Sequence, residues 1–455
     1  MTTDAAQEAA TRTDWAAIAA VGFAQLVVAA GMSSIAVALP LIRTGFAVSE
    51  SATAWVLLAY ALPTGAVAIA AGRLAERADL RAVSVFSMGA LALGSVAAAL
   101  APTFATLLLA RALSGLLGGL LFGMTGRIIV TASAPERRGR AVSVIALMMT
   151  VGGMGTVGAG GFVVGAFGWQ GLFWVFAALS AVAVAALALT VPSNGTGLPR
   201  PDKALVVDVA TSGGAIAAFL LAFEYVDTSP WIALGALAAS VALATVWVRQ
   251  PASAPTVALL RSPLLAGALL SLTLLSTMTG LLNFALPFLL TDVHLVRPET
   301  VSTVMLAFIG GVAVTTPVAG WLSDRFGPGR VSFAGAVMAV AATVPLLLVD
   351  GSTGLMDLGV RIGVAGAAMG LFSIPMNAYL LASAPPEQSG TAGAFMATTR
   401  TIGASLGPVV AALAWGLGAT AVDGYRLAAW TIAAILLAGA ALQATTRPWR
   451  TPAAA

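Results

Sequence analysis

Cysteine is absent from this 455-residue chain, and histidine occurs once, at His294. The first absence excludes disulfides, thiolate metal sites and thiol catalysis. The second excludes a histidine-rich metal centre, and no cofactor is expected. Charge is scarce too: 9% of residues are Asp, Glu, Lys or Arg, against about 25% in an ordinary soluble domain. So few charges cannot coat a water-facing surface. Hydrophobic residues make up 59% of the chain, and the mean hydropathy is +0.97. The pI of 10.1 reflects cations scattered through short loops between apolar runs. That is a membrane-topology pattern, and nucleic acid is not an expected partner. Residues 1–14 mix Asp4, Glu8, Arg12 and Asp14 without a basic n-region, so no cleaved signal peptide is expected.

A spanning helix takes about 20 apolar residues. Fourteen spans are predicted, near 15–42, 51–71, 82–101, 104–131, 141–164, 169–192, 206–226, 230–248, 263–290, 300–321, 331–349, 355–381, 391–416 and 425–445. The fold class is therefore an all-α membrane protein. With the N-terminus inside, fifteen Arg and Lys residues fall in inner loops, against Arg43, Arg297 and Arg426 outside. The positive-inside rule then places both termini in the cytoplasm, with the plasma-membrane bilayer as first partner.

The two ends of the chain repeat each other. Ala38-Leu39-Pro40 recurs as Ala285-Leu286-Pro287 at an offset of 247, and the segment from Gly72 to Arg77 recurs from Gly320 to Arg325 at 248. Arg111 recurs as Arg361, and Ala132-Ser133-Ala134-Pro135 as Ala382-Ser383-Ala384-Pro385, both at 250. Both loop copies face the cytoplasm, so the repeats are parallel, with the substrate path expected between them. The predicted organisation is a cytoplasmic segment 1–14, a six-helix half 15–192, a linker 193–262 carrying two extra transmembrane helices, a six-helix half 263–445 and a cytoplasmic tail 446–455.

These motifs resemble the major facilitator superfamily, and within it the fourteen-helix drug:proton antiporter branch. Gly72 through Arg81 is similar to the family's loop between its second and third helices, with Glu76 in place of Asp and Asp79 in place of Gly. Gly320 through Asp324-Arg325-Phe326-Gly327 to Arg330 matches the pattern better. Trp55 with Tyr60 resembles the branch's second-helix motif, and Leu109-Ala110-Arg111 with Gly115 its fourth-helix motif. Gly152, Gly160 and Gly161, before Gly168-Trp169, fit the fifth-helix antiporter signature, but Thr156-Val157 replaces its Gly-Pro pair. The repeat mate, Gly403 with Gly407-Pro408, keeps that pair.

The resemblance implies a major facilitator fold, two parallel six-helix halves with the extra pair between them. Gly72, Arg73, Glu76, Arg77, Arg81, Gly320, Asp324, Arg325 and Arg330 are expected to act as inner-face gates, the acids holding arginines and helix N-termini. The alternative is that these arginines only fix topology. Arg111, Arg127, Arg361 and Arg400 lie within spans, where an arginine at a helix centre costs roughly 2.5–3.5 kcal/mol. Snorkelling explains Arg127 and Arg361 as well as function does, whereas Arg111 matches the motif arginine that in relatives is associated with proton coupling. The glycine run also permits close helix packing, its ordinary use in a membrane bundle.

No carboxylate lies near mid-membrane in the twelve core spans; Glu50, Asp292, Glu299, Asp350 and Asp357 all sit toward outer ends. Ala30-Gly31-Met32-Ser33-Ser34 stands where the branch usually carries an Asp. Asp357, one helical turn from Arg361, is the first candidate for the proton-carrying acid. By resemblance the first, fourth, ninth and twelfth spans line the cavity, bringing Gln25, Ser33, Ser34, Arg111, Met124, Met278, Asn283, Met376 and Asn377 to it. Tyr60, Met148 and Arg400 join that wall, and methionine suits an adaptable pocket, though each residue also fits ordinary packing. His294 is read as a solvated loop histidine.

The expected function is export of amphipathic or hydrophobic small molecules by proton antiport and alternating access. The alternatives are export of one endogenous metabolite or lipid, an uptake symporter or uniporter, and, more remotely, a receptor that transports nothing. An enzyme is not expected, since no nucleophile, base and metal constellation is present.

Overall fold

The computed structural model describes residues 13–74, 78–134, 137, 140–141, 144–145, 148–149, 152–153, 156–193, 195, 197–198, 203–224, 229–254, 262–383 and 389–446. Every regular element among them is helical. In chain order these are α1 (Trp15–Ser33), α2 (Leu39–Phe46), α3 (Glu50–Leu74), α4 (Leu80–Ala99), α5 (Phe104–Ala132), α6 (Thr156–Thr190), α7 (Lys203–Glu224) and α8 (Pro230–Val248). They continue as α9 (Pro263–Ser276), α10 (Leu286–Asp292), α11 (Pro298–Phe326), α12 (Pro328–Leu347), α13 (Leu355–Ser383), α14 (Ser389–Gly416) and α15 (Ala421–Thr446). Ten helical stretches of the described residues are long and apolar enough to cross a membrane. Large apolar side chains stand exposed on them, such as Leu189, Phe167 and Trp231. Lipid tolerates that surface and water does not.

The helix ends carry their reasons in the sequence. Asp14 caps α1 by accepting from the Ala17 amide at 3.0 Å. Thr103 and Thr106 form a reciprocal capping box at the start of α5. The repeated Ala-Leu-Pro marks a change of helix type in both copies: a 3-10 turn, Ser34–Ala38, precedes α2, and a π turn, Leu281–Ala285, precedes α10. Proline has no amide hydrogen, so a regular helix would leave the carbonyl four residues earlier without its donor. Re-winding the preceding turn absorbs the defect. Within the 156–190 stretch, Gly168 at φ 68° turns the chain between the predicted fifth and sixth spans, a conformation that favours glycine.

The chain divides into two compact units. The first comprises residues 1–35 and 58–213, the second residues 36–57 and 214–455. In the first, α4 packs on α5 and α6, and α1 on α6. In the second, α12 packs on α13 and α15, and α9 on α14 and α15. The repeat persists to single contacts. A Cβ at Gly115 would strike the Tyr60 carbonyl and one at Gly119 the Thr64 carbonyl, seating α5 against α3. Gly366 meets the Phe308 carbonyl in the same way, and Gly370 meets the Thr315 hydroxyl with the Val312 carbonyl close behind, seating α13 against α11. Gly152 against Leu26 and Gly403 against Thr273 form a further matched pair. Backbones approach this closely only where the side chain is a hydrogen.

Candidate functional site

A buried cluster of predicted site residues surrounds Arg111 in the first unit. Arg111 projects from α5, is 3% exposed, and donates from Nη1 to the Gly31 carbonyl at 2.9 Å. Gly31 lies in the last turn of α1, where carbonyls lack an intrahelical donor, so the cation satisfies a helix end. The guanidinium carbon lies 4.4 Å from the centre of the Tyr60 ring and 5.9 Å from that of Phe173. Each such contact contributes about 0.5–2 kcal/mol, the upper value when desolvated. Tyr60 is held by its hydroxyl, which donates to the Val28 carbonyl at 3.0 Å. Gly31, Tyr60, Ser95, Arg111, Ser114 and Phe173 line a narrow recess. It is too small for a drug-sized compound.

The repeat mate is built on the same plan with one addition. Arg361 on α13 donates to the Pro345 carbonyl at 2.6 Å, in the last turn of α12. It also forks onto Asp357, with Nε to Oδ1 at 3.0 Å. Asp357 is exposed, and Leu107 stands at the matching place one turn before Arg111. One arginine thus carries an acid from its own helix, and the other is wrapped in aromatic rings.

The remaining predicted residues separate between the units. In the first, Gln25 is buried and donates to the Thr125 hydroxyl. Ser34 donates to the Ala30 carbonyl, and its hydroxyl lies 3.4 Å from that of Thr156. Met124 is buried, Ser33 and Met148 half-buried, with the Met148 sulfur beside Gly22. Gly152, Val157, Gly160 and Gly161 are buried in packing positions. In the second, Met278 and Met376 are fully buried, Asn283 and Asn377 half-buried, Gly403, Gly407 and Pro408 buried, and Arg400 exposed. Arg127, for which snorkelling was an open reading, is exposed near the end of α5.

Of the expected gate loops, Glu76 and Arg77 lie outside the described residues, while Gly72 and Arg73 belong to the end of α3. In the second copy, Asp324, Arg325 and Arg330 are exposed and Gly320 is half-buried, with the Arg325 guanidinium over Trp321 and Phe326. Gly327 has φ 87°, a left-handed value that explains the family's glycine at this place. Asp79 stands at the equivalent place in the first copy, but its φ is −71°. It caps α4 by accepting from the Arg81 and Ala82 amides at 3.0 and 3.1 Å. Its second oxygen accepts from the Ser193 hydroxyl and the Gly195 amide, and Arg81 donates to the Val191 carbonyl. Burial would raise the Asp79 pKa, but the hydrogen bonds outweigh it and hold the carboxyl below its usual value.

A charged cluster in the second unit went unrecognised as a site from sequence. Arg43 on α2 binds Asp292 at the end of α10 through both terminal nitrogens, at 2.8 and 3.0 Å, and Glu50 at 2.6 Å. The sequence marked the three charges as outer-end residues but gave no sign that they meet.

With this geometry in view, comparison with known proteins decides the family. The model of the Major Facilitator Superfamily matches residues 21–275 and 268–454. The chain belongs to the Major Facilitator Superfamily. It is similar to the multidrug resistance protein Stp of Mycobacterium tuberculosis, 27% identical over 88% of this chain and 73% of that protein. It is also similar to the tetracenomycin C resistance and export protein of Streptomyces glaucescens, 25% identical over 87% of this chain and 75% of that protein. Among solved structures, a bacterial homologue of the human lysosomal transporter Spinster, in an inward-facing and unoccupied conformation, superposes with a TM-score of 0.70 at 18% identity, covering 96% of this chain and 98% of that one. That likeness concerns the fold. This is a superfamily transporter, resembling the drug:proton antiporters as its motifs implied.

Proposed function

We propose that this superfamily member is a secondary active transporter that exports amphipathic or hydrophobic small molecules across the plasma membrane by proton antiport and alternating access. The observation that carries the reading is Arg111. It occupies the place of the antiporter branch's motif arginine and is buried at a helix end, in a recess of water size. An arginine so placed serves a proton or a helix packing better than it grips a large substrate. The similarity to resistance proteins over most of the chain supports export as the direction.

The rest of the account follows the same reading. In this reading the chain crosses the membrane fourteen times with both termini in the cytoplasm, as the distribution of arginine and lysine favours, and α7 and α8 are the extra pair. The partners are the bilayer, a small-molecule substrate and protons. Asp357 with Arg361 remains a candidate for proton coupling, although the Pro345 carbonyl gives Arg361 a helix-capping role that needs no proton. One relative is named as the resistance and export protein of a single antibiotic, tetracenomycin C. That favours a dedicated metabolite exporter as the second reading. Purified protein in proteoliposomes with an imposed pH gradient tests both. A broad panel of gradient-driven substrates supports multidrug export, and one compound supports the dedicated exporter.

A further inference from the structure

Resting on the alternating-access reading above, we propose that Arg43 is an outer-face latch that holds residues 36–57 within the second unit through Asp292 and, more weakly, Glu50. The helix that begins at Trp15 changes unit at Ile35, inside the 3-10 turn Ser34–Ala38 that Pro40 imposes. The chain returns to the first unit at Leu58 within α3. Both ends of this short segment are thus covalently tied to the first unit while its own fold belongs to the second. Something must retain it there.

The retaining contact is a bidentate fork from Arg43 to Asp292, with side chains 21% and 22% exposed. The fork fixes orientation as well as distance, which a lysine would not. The Arg43 guanidinium also lies 5.3 Å from the centre of the Phe288 ring on α10, whose centroid lies 6.0 Å from that of the tilted Trp415 ring on α14. Glu50, at 39% exposed, is screened by water and adds less. One cation therefore ties α2 and the start of α3 to α10. In a transport cycle the outer face opens when this segment leaves, and the latch sets the population that does.

The test uses the absence of cysteine. Spin labels on Thr44→Cys in α2 and Leu417→Cys between α14 and α15 are the only two on the full chain, both at exposed positions. Distances are measured by pulsed electron resonance in lipid nanodiscs without substrate. Arg43→Gln and Asp292→Asn should each raise the longer-distance population about three- to tenfold, the scale of a half-buried bidentate pair. Arg43→Asp combined with Asp292→Arg should restore the parent distribution. An unchanged distribution in both single variants, or a swap that restores nothing, overturns the latch. Failure of the export reading is separate. A shifted distribution in a protein that exports nothing leaves the latch standing, and an unshifted one in a variant that exports normally removes the latch alone.

Discussion

The guanidinium of Arg111 rests 4.4 Å from the centre of the Tyr60 ring, and neither residue is more than 3% exposed. Two motifs read separately from the sequence thus meet at one point, where α3, α5 and the last turn of α1 converge. Arg111→Ala removes both the cation and the donor to Gly31, and should abolish gradient-driven transport in proteoliposomes. Arg111→Lys keeps the charge and loses the planar fork. Retained proton coupling with weakened binding then indicates a substrate role, and intact binding without coupling a proton role. Full transport in Arg111→Ala would leave only a helix-capping arginine.

Tyr60 separates ring from hydroxyl. Tyr60→Phe keeps the aromatic face and loses one hydrogen bond, so stability should fall by about 1 kcal/mol with transport retained. Tyr60→Leu removes the face and should reduce transport about tenfold, the scale of a desolvated cation–ring contact. Thermal unfolding and initial transport rates measured on the same preparations distinguish them.

Glycine packing supplies a symmetric prediction. Gly115→Ala and Gly366→Ala each place a methyl against a backbone carbonyl, of Tyr60 and Phe308 respectively, which cannot rotate away. Each should destabilise by about 1–3 kcal/mol, the usual cost of overpacking. Gly126→Ala on α5, where no neighbour lies within 4 Å of the added carbon, should be neutral. Melting temperatures in detergent provide the measurement.

The helices, the repeated contacts and the buried arginine were legible because each leaves a local mark. Long apolar runs gave the helices, the recurring Ala-Leu-Pro marked the repeat, and an arginine inside a span announced a constraint. Arg43 with Asp292 was not legible, because 249 residues separate them and each charge alone reads as a loop end. Asp79 was visible only as a departure from a family glycine. Its use became clear from the backbone: Gly327 has φ 87° and Asp79 has −71°, so the first copy trades a left-handed turn for a capping carboxylate.

That trade is testable by pH. Asp79 is held below its usual pKa in the folded protein, so its contribution is complete above the unfolded carboxylate range. It is lost as pH falls through the lower folded value. Asp79→Ala should cost about 0.5–2 kcal/mol at neutral pH, as capping substitutions do. The gap from the parent should shrink as the pH is taken below the carboxylate range. A gap that does not change between neutral and strongly acidic melts would remove the carboxylate from the account.

The central claim, outward movement of a small molecule in exchange for protons, is tested most directly in oriented proteoliposomes loaded with a panel of amphipathic fluorescent compounds. The account predicts efflux from the cytoplasmic side when protons are more concentrated on the outer side. That efflux should collapse on adding a protonophore and be absent in Arg111→Ala. Efflux indifferent to the gradient, or net uptake driven by it in the parent protein, would contradict the claim.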